Sequence, residues 1–244
     1  MTFDQWLGEL ERRHLTTLTA SEVGRSLRAL SSCYVERREK LVEGAALDGA
    51  GKRAAFALFY GVQHFLVARE IARALPVARA DRIVDLGCGT GTAGAGLALE
   101  IGAARIEGFD ISRWAVAEAN WTYRALQLHG RAALGNIRRA RLPEGGLVLA
   151  AYAVNELTDD IRHELRQRML EAHRRGTSIL IIEPIARRAN RWWGEWTTAF
   201  AARGGRESDW RFSVALPERQ RALARAAGLD ARELTARTLY LFCS

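Results

Sequence analysis

Apolar side chains recur at spacings of three and four through residues 1 to about 79, in "FDQWLGELERRH", "TASEVGRSLRALSSCYVERREKLV" and "GKRAAFALFYGVQHFLVAREIARAL". Residues three and four apart share one face of a helix, so this period predicts three helices. Thr19 and Ser21 offer side-chain oxygens to cap the second, and "LDGAG" at 47–51 breaks it from the third. From residue 81 short apolar runs alternate with amphipathic stretches. "RIVDLG", "RIEGFDIS", "GLVLAAYA" and "SILIIEP" read as buried strands, with a shorter segment near "RAALGNI". "TAGAGLALEIG", "SRWAVAEANWTYRALQLHG" and "TDDIRHELRQRMLEAHRRG" read as the helices between them. Thr158 and two aspartates open the last of these and Gly176 closes it, as end capping and the helix dipole require. "RFSVALP" and "ELTARTLYLFCS" then read as two strands around the helix "ERQRALARAAG". Alternating strand and helix implies an α/β fold with a parallel sheet covered on both faces. The expected organisation is a helical annex or lid at 1–79 and a sheet domain at 80–244.

A chain of 244 residues, 48% hydrophobic and 26% charged with 4 prolines, has the makeup of an ordinary globular protein rather than an extended disordered one. The balance of 36 basic against 28 acidic residues gives +8, and the basic side is overwhelmingly arginine. A polyanionic partner suits this, since the guanidinium fork binds oxygens in pairs. A general preference for arginine over lysine explains it equally well. Cys33, Cys88 and Cys243 form no C-x-x-C pair, so neither a disulfide framework nor a metal cage is readable. "MTFDQWLGELERRH" lacks the apolar core of a signal peptide, and no apolar run has membrane-spanning length. The expectation is a cytoplasmic protein with no membrane partner and no metal.

"VDLGCGTGTAG" at 84–94 sets Gly87, Gly89 and Gly91 in the turn from the first strand to its helix, where open parallel sheets bind their ligands. Asp110 ends the second strand, at the position where an acid accepts hydrogen bonds from a ribose diol. Asp85 stands just before the glycines. A carboxylate there suits a positively charged amino-acid end and would repel a pyrophosphate. A tight turn that binds nothing and a nicotinamide or flavin site are the alternatives.

"VDLGCGTGTAG" together with Asp110 resembles the first two motifs of class I S-adenosylmethionine-dependent methyltransferases. The resemblance implies a Rossmann-like sheet of seven strands, mostly parallel with the last antiparallel, and S-adenosyl-L-methionine as cofactor. It implies that Gly87, Cys88, Gly89 and Gly91 lie against the cofactor, with Asp85 near its amino end and Asp110 on the ribose. Ile111 and Tyr152 join the cofactor set, and "GNI" places Asn136 and Ile137 at adenine.

Methyl transfer is an in-line displacement that needs positioning and, for some acceptors, removal of a proton. "AAYAVNEL" and "IIEPI" put Asn155, Glu156 and Glu183 just beyond strands four and five, as candidate catalytic residues. The "N/D-P-P-Y" signature of exocyclic-amine methyltransferases is absent. "YAVNEL", "LIIEPIARR" and "SSCYVERR" are similar to methyltransferase-like proteins associated with the mitochondrial small ribosomal subunit and their bacterial relatives. Members of that group often carry a cysteine cluster, which this chain lacks. The resemblance implies RNA or the small ribosomal subunit as partner. A small-molecule methyltransferase and a non-catalytic, cofactor-binding ribosome assembly factor are the alternatives.

Two further groups bear on the acceptor. "ARRANRWWGEWTTAF" sets Arg187, Arg188 and Arg191 beside Trp192, Trp193 and Trp196, either a single-strand RNA surface or a buried helix face. "IRRAR" adds Arg138, Arg139 and Arg141. Tyr60 and His64, one helical turn apart, either face the cofactor or pack in the core.

Overall fold

The structure, a computed structural model, describes residues 1–36, 47–77, 79–185, 192–229 and 232–243. Seven strands form one sheet in the order β3-β2-β1-β4-β5-β7-β6. They are β1 (Arg82–Leu86), β2 (Arg105–Asp110), β3 (Gly130–Leu134), β4 (Leu147–Ala151), β5 (Ser178–Glu183), β6 (Arg206–Phe212) and β7 (Leu234–Leu241). β1 pairs in parallel with β2 and β4, β2 with β3, and β4 with β5. β7 runs antiparallel to β5, with Ile181 opposite Leu239. Every residue of β4 is buried, as a central strand covered on both faces must be.

The helices are α1 (Phe3–His14), α2 (Ala20–Glu36), α3 (Ala50–Ala55), α4 (Val62–Ala74), α5 (Thr92–Ile101), α6 (Arg113–Ala125), α7 (Asp159–Arg174), α8 (Trp193–Ala201) and α9 (Glu218–Ala227). Thr19 caps α2 in a reciprocal box: its hydroxyl accepts from the Glu22 amide at 3.3 Å, and the Glu22 carboxylate accepts from the Thr19 amide at 2.8 Å. Two expectations need correction. The third predicted helix is interrupted between α3 and α4 by a π-helical turn, Phe56–Gly61, which apolar periodicity alone does not register. The penultimate strand lies at Arg206–Phe212 rather than at "RFSVALP". It is an edge strand of exposed and half-buried residues, so its polar sequence hides it from a reading based on apolar runs.

The chain divides into two compact units, one made of Met1–His64 and Phe212–Leu234, the other of Phe65–Arg211 and Thr235–Ser244. In the helical unit α2 packs on α9: Arg28 donates to the Ala226 carbonyl at 2.5 Å, and a Cβ on Gly24 would lie 2.9 Å from the Ala226 methyl. Gln220 donates to the Leu58 carbonyl at 3.0 Å, and Arg219 pairs with Glu11 at 3.3 Å. The Tyr60 and His64 rings sit 6.3 Å apart. Burial pushes His64 down to about 3, which keeps the imidazole neutral. In the sheet unit one apolar cluster joins Val84, Val148, Ile181, Met169 and Leu239 to the aromatic face of α8. Among the described residues no helix is long and apolar enough to cross a membrane.

Candidate active site

The parallel register carries the carboxyl ends of β1, β2, β4 and β5 to one edge of the sheet. There the chain leaves β1 through Gly87, with φ +69°, and enters α5 at its N-cap Gly91, with φ +73°. A Cβ on Gly87 would lie 2.6 Å from that of Ala153, and one on Gly91 would lie 2.8 Å from the Tyr123 ring. Both positions therefore need glycine for conformation and for space. The Phe109 carbonyl accepts from the amides of Gly87 and Cys88 at 2.8 and 3.0 Å, tying the loop to β2.

Asp110 holds the same loop with its side chain. One carboxylate oxygen accepts from the Gly89 amide at 2.9 Å and the other from the Ser112 amide at 2.8 Å. Each oxygen has two lone pairs, so acceptor capacity remains on this half-buried group. Asp85 contrasts with it: the side chain is 1% exposed, and neither oxygen makes a hydrogen bond of good geometry. Burial, followed by the charge of Asp110, pushes its carboxyl up to about 7, with the Gly94 amide offsetting part of the shift. Ile111 is 66% exposed beside Asp110, whereas Ile137 is buried with its Cδ1 3.7 Å from where a Gly87 Cβ would be. Asn136 accepts from the Arg138 amide at 2.9 Å, which shapes the turn it opens. Cys88 is buried, and desolvation raises its thiol well above the ordinary range, so it is a neutral packing group.

On the β4–β5 side, Tyr152 adopts φ +58°, a costly conformation for a residue with a side chain. Its amide donates to the Ile182 carbonyl at 2.7 Å, which fixes the turn. Burial and the charge of Glu183 both raise its phenol. Asn155 and Glu183 are brought together: the Asn155 backbone amide donates to Glu183 Oε1 at 3.1 Å, and its side-chain Nδ2 donates to Oε2 at 2.5 Å. Trp192 Nε1 completes the group by donating to Asn155 Oδ1 at 2.9 Å. Glu156 is exposed on the same short 3-10 turn, Val154–Glu156.

A family model described as a methyltransferase domain matches residues 83–176, from β1 to the end of α7. Residues 83–176 are a methyltransferase domain. The chain is accordingly an S-adenosylmethionine-dependent enzyme. No curated protein matches its sequence. Among solved structures, the YcgJ protein of Bacillus subtilis is 10% identical with a TM-score of 0.50, over 73% of this chain and 100% of that one. The methyltransferase domain of a bacterial Hen1 is 11% identical with a TM-score of 0.50, over 74% and 98%. A Haloferax volcanii methyltransferase complexed with its Trm112 activator is 18% identical with a TM-score of 0.50, over 75% and 91%. At these identities the likeness is one of fold.

One residue packed beneath the loop was not singled out in the sequence. Tyr123 of α6 is fully buried beneath the loop, and added Cβ atoms on Gly91, Gly108 and Gly130 would all meet it within 2.9 Å. The available signal was the recurrence of glycine on two neighbouring strands opposite one aromatic helix position. Trp192, which the sequence offered only as one ring of an RNA surface or a buried face, instead reaches Asn155 from the start of α8. Trp192, Trp193 and Trp196 are at most 9% exposed and pack among themselves and Phe200. Burial rather than RNA stacking is thus the role of these three rings. Arg187, Arg188, Arg191 and the Arg37–Arg38 end of "SSCYVERR" lie outside the described residues.

Proposed function

We propose that this methyltransferase acts on RNA, with RNA of the small ribosomal subunit as the acceptor class and the cytoplasm as its place of action. On this reading 80–244 is the catalytic domain and 1–79 its annex. The observation that carries the reading is the exposed basic turn Arg138, Arg139 and Arg141, which follows directly on the adenine-side pair Asn136 and Ile137. S-adenosylmethionine fits the residues present. The unpaired, buried Asp85 carboxylate suits an ammonium group, and the remaining lone pairs of Asp110 suit a ribose diol. Gly87, Cys88, Gly89 and Gly91 supply the close backbone, while Ile111, Asn136, Ile137 and Tyr152 border the base. When bound, the cofactor supplies a sulfonium methyl, which an acceptor lone pair displaces as the sulfur departs with its electron pair.

Asn155, Glu156 and Glu183 form the acceptor side. Glu183 is occupied twice by Asn155, so it acts as a positioning residue and not as the proton acceptor. One Asn155 amide N–H remains to orient the acceptor. The test is incubation with tritiated S-adenosylmethionine and separate pools of RNA, protein and small metabolites. Label in small-subunit RNA is the expected result. Label confined to the metabolite pool would return the small-molecule reading.

A further inference from the structure

At the edge of the sheet opposite the glycine loop, where β1 and β4 begin and α7 ends, lies an open cavity of about 1020 Å³. Arg82, Arg139, Arg141, Arg168, Arg174 and Arg175 line it, against two acids, Glu144 and Glu171. The 136–140 turn, which Arg168 bonds at the Ile137 carbonyl, runs from the adenine-side pair Asn136 and Ile137 into this wall.

The six arginines are held differently. Arg168 is structural, donating to the carbonyls of Ile137 at 3.1 Å, Arg138 at 2.7 Å and also Ala140, which staples the 136–140 turn to α7. Arg82 pairs with Glu107 at 3.0 Å. Glu171 is shared by Arg174 and by Arg175, the latter at 2.9 Å, and Arg175 also reaches Glu144 at 3.8 Å. Both acids of the wall are therefore already matched. Arg139 and Arg141 are exposed and make no ion pair among the described residues. They carry the uncompensated charge.

We infer that this cavity binds the phosphate backbone of RNA, holding the acceptor molecule at a second point away from the reacting base; the inference rests on the RNA reading above. Guanidinium groups pair with phosphate oxygens in a bidentate manner. The volume stands at the upper end for small-molecule pockets, about 300–1,000 Å³, which favours a polymer over a single small anion. None of the lining residues is aromatic. The site thus has no stacking platform for bases, and its contacts are backbone contacts indifferent to sequence.

The experiment compares wild type with the Arg139→Gln/Arg141→Gln double variant by fluorescence anisotropy on a labelled RNA duplex, over about 50 to 200 mM salt. Both side chains are exposed, and unchanged calorimetric affinity for S-adenosylhomocysteine shows that the fold and the cofactor site are intact. Two lost phosphate contacts should lower the slope of log affinity against log salt by about 1.4 to 1.8. Glu144→Gln should move affinity the other way, tightening RNA binding. Salt-dependent binding by wild type that neither variant alters would overturn the cavity, and the RNA reading would then be decided separately by whether tritium label enters the RNA pool. Absent or salt-insensitive binding by wild type would overturn both. Displacement of the RNA by polyglutamate at lower charge concentration would overturn the proposal in favour of an acidic protein partner.

Discussion

Asp85 and Asp110 end adjacent strands under the same loop, yet their surroundings divide their tasks. Asp110 accepts two backbone bonds, whereas Asp85 is buried with neither oxygen in a hydrogen bond of good geometry. The folded protein holds the Asp85 proton up to about pH 7, while the unfolded chain releases it near the ordinary value of about 4. Between those values the folded state binds more protons, so stability falls as pH rises and levels off above about 7. The full cost is on the order of 4 kcal/mol. Asp85→Asn should therefore abolish this fall and be more stable than wild type at pH 8 in denaturant titrations of the cofactor-free protein. Pairing with an ammonium group would draw the Asp85 proton off, so wild-type cofactor affinity should rise with pH up to about 7. Calorimetry showing affinity that declines over that range would remove Asp85 from the cofactor's amino end. Asp110→Ala should weaken S-adenosylhomocysteine binding by roughly 1–3 kcal/mol. Tyr123 offers a test with the opposite sign: its buried hydroxyl has no hydrogen-bond partner, so Tyr123→Phe should raise the denaturation midpoint, by roughly 1 kcal/mol of stability.

Which elements were legible in the sequence follows from how far apart their partners lie. The glycine turn, Asp110 and the alternation of strands with helices are local patterns, and they appear in the structure where the residues place them. β6 was misplaced because an edge strand needs no apolar run, and the π turn was missed because it preserves the helical face. The bond from Trp192 to Asn155 and the clamp of Asn155 on Glu183 join segments 28 to 37 residues apart, and no local pattern encodes such a meeting. For the same reason the tryptophans of α8 were open to two readings, and their burial decides for packing. The Trp192 bond carries its own prediction. Trp192→Phe keeps most of the ring volume but removes the donor to Asn155, so methyl transfer should slow about tenfold, the equivalent of one lost hydrogen bond, at unchanged cofactor affinity. A variant with the wild-type rate would show that Asn155 is positioned by Glu183 alone.

For the whole molecule, the helical unit joins Met1–His64 to Phe212–Leu234, segments far apart in the chain. α9 packs on α2 through Gly24 and Ala226 and buries Leu223, Ala224 and Ala227. A truncation that begins at residue 80 should therefore leave this apolar face without its partner. Such a chain is expected to aggregate in size-exclusion chromatography, whereas the full chain with Asp110→Ala stays soluble. Interleaving also sets a clock on synthesis. The helices of Met1–His64 leave the ribosome before α9, which follows only after all of residues 65–211 have been made. At roughly 5–20 residues per second, those helices wait on the order of ten to thirty seconds for α9, and through that interval the face of α2 that α9 covers stays open to water.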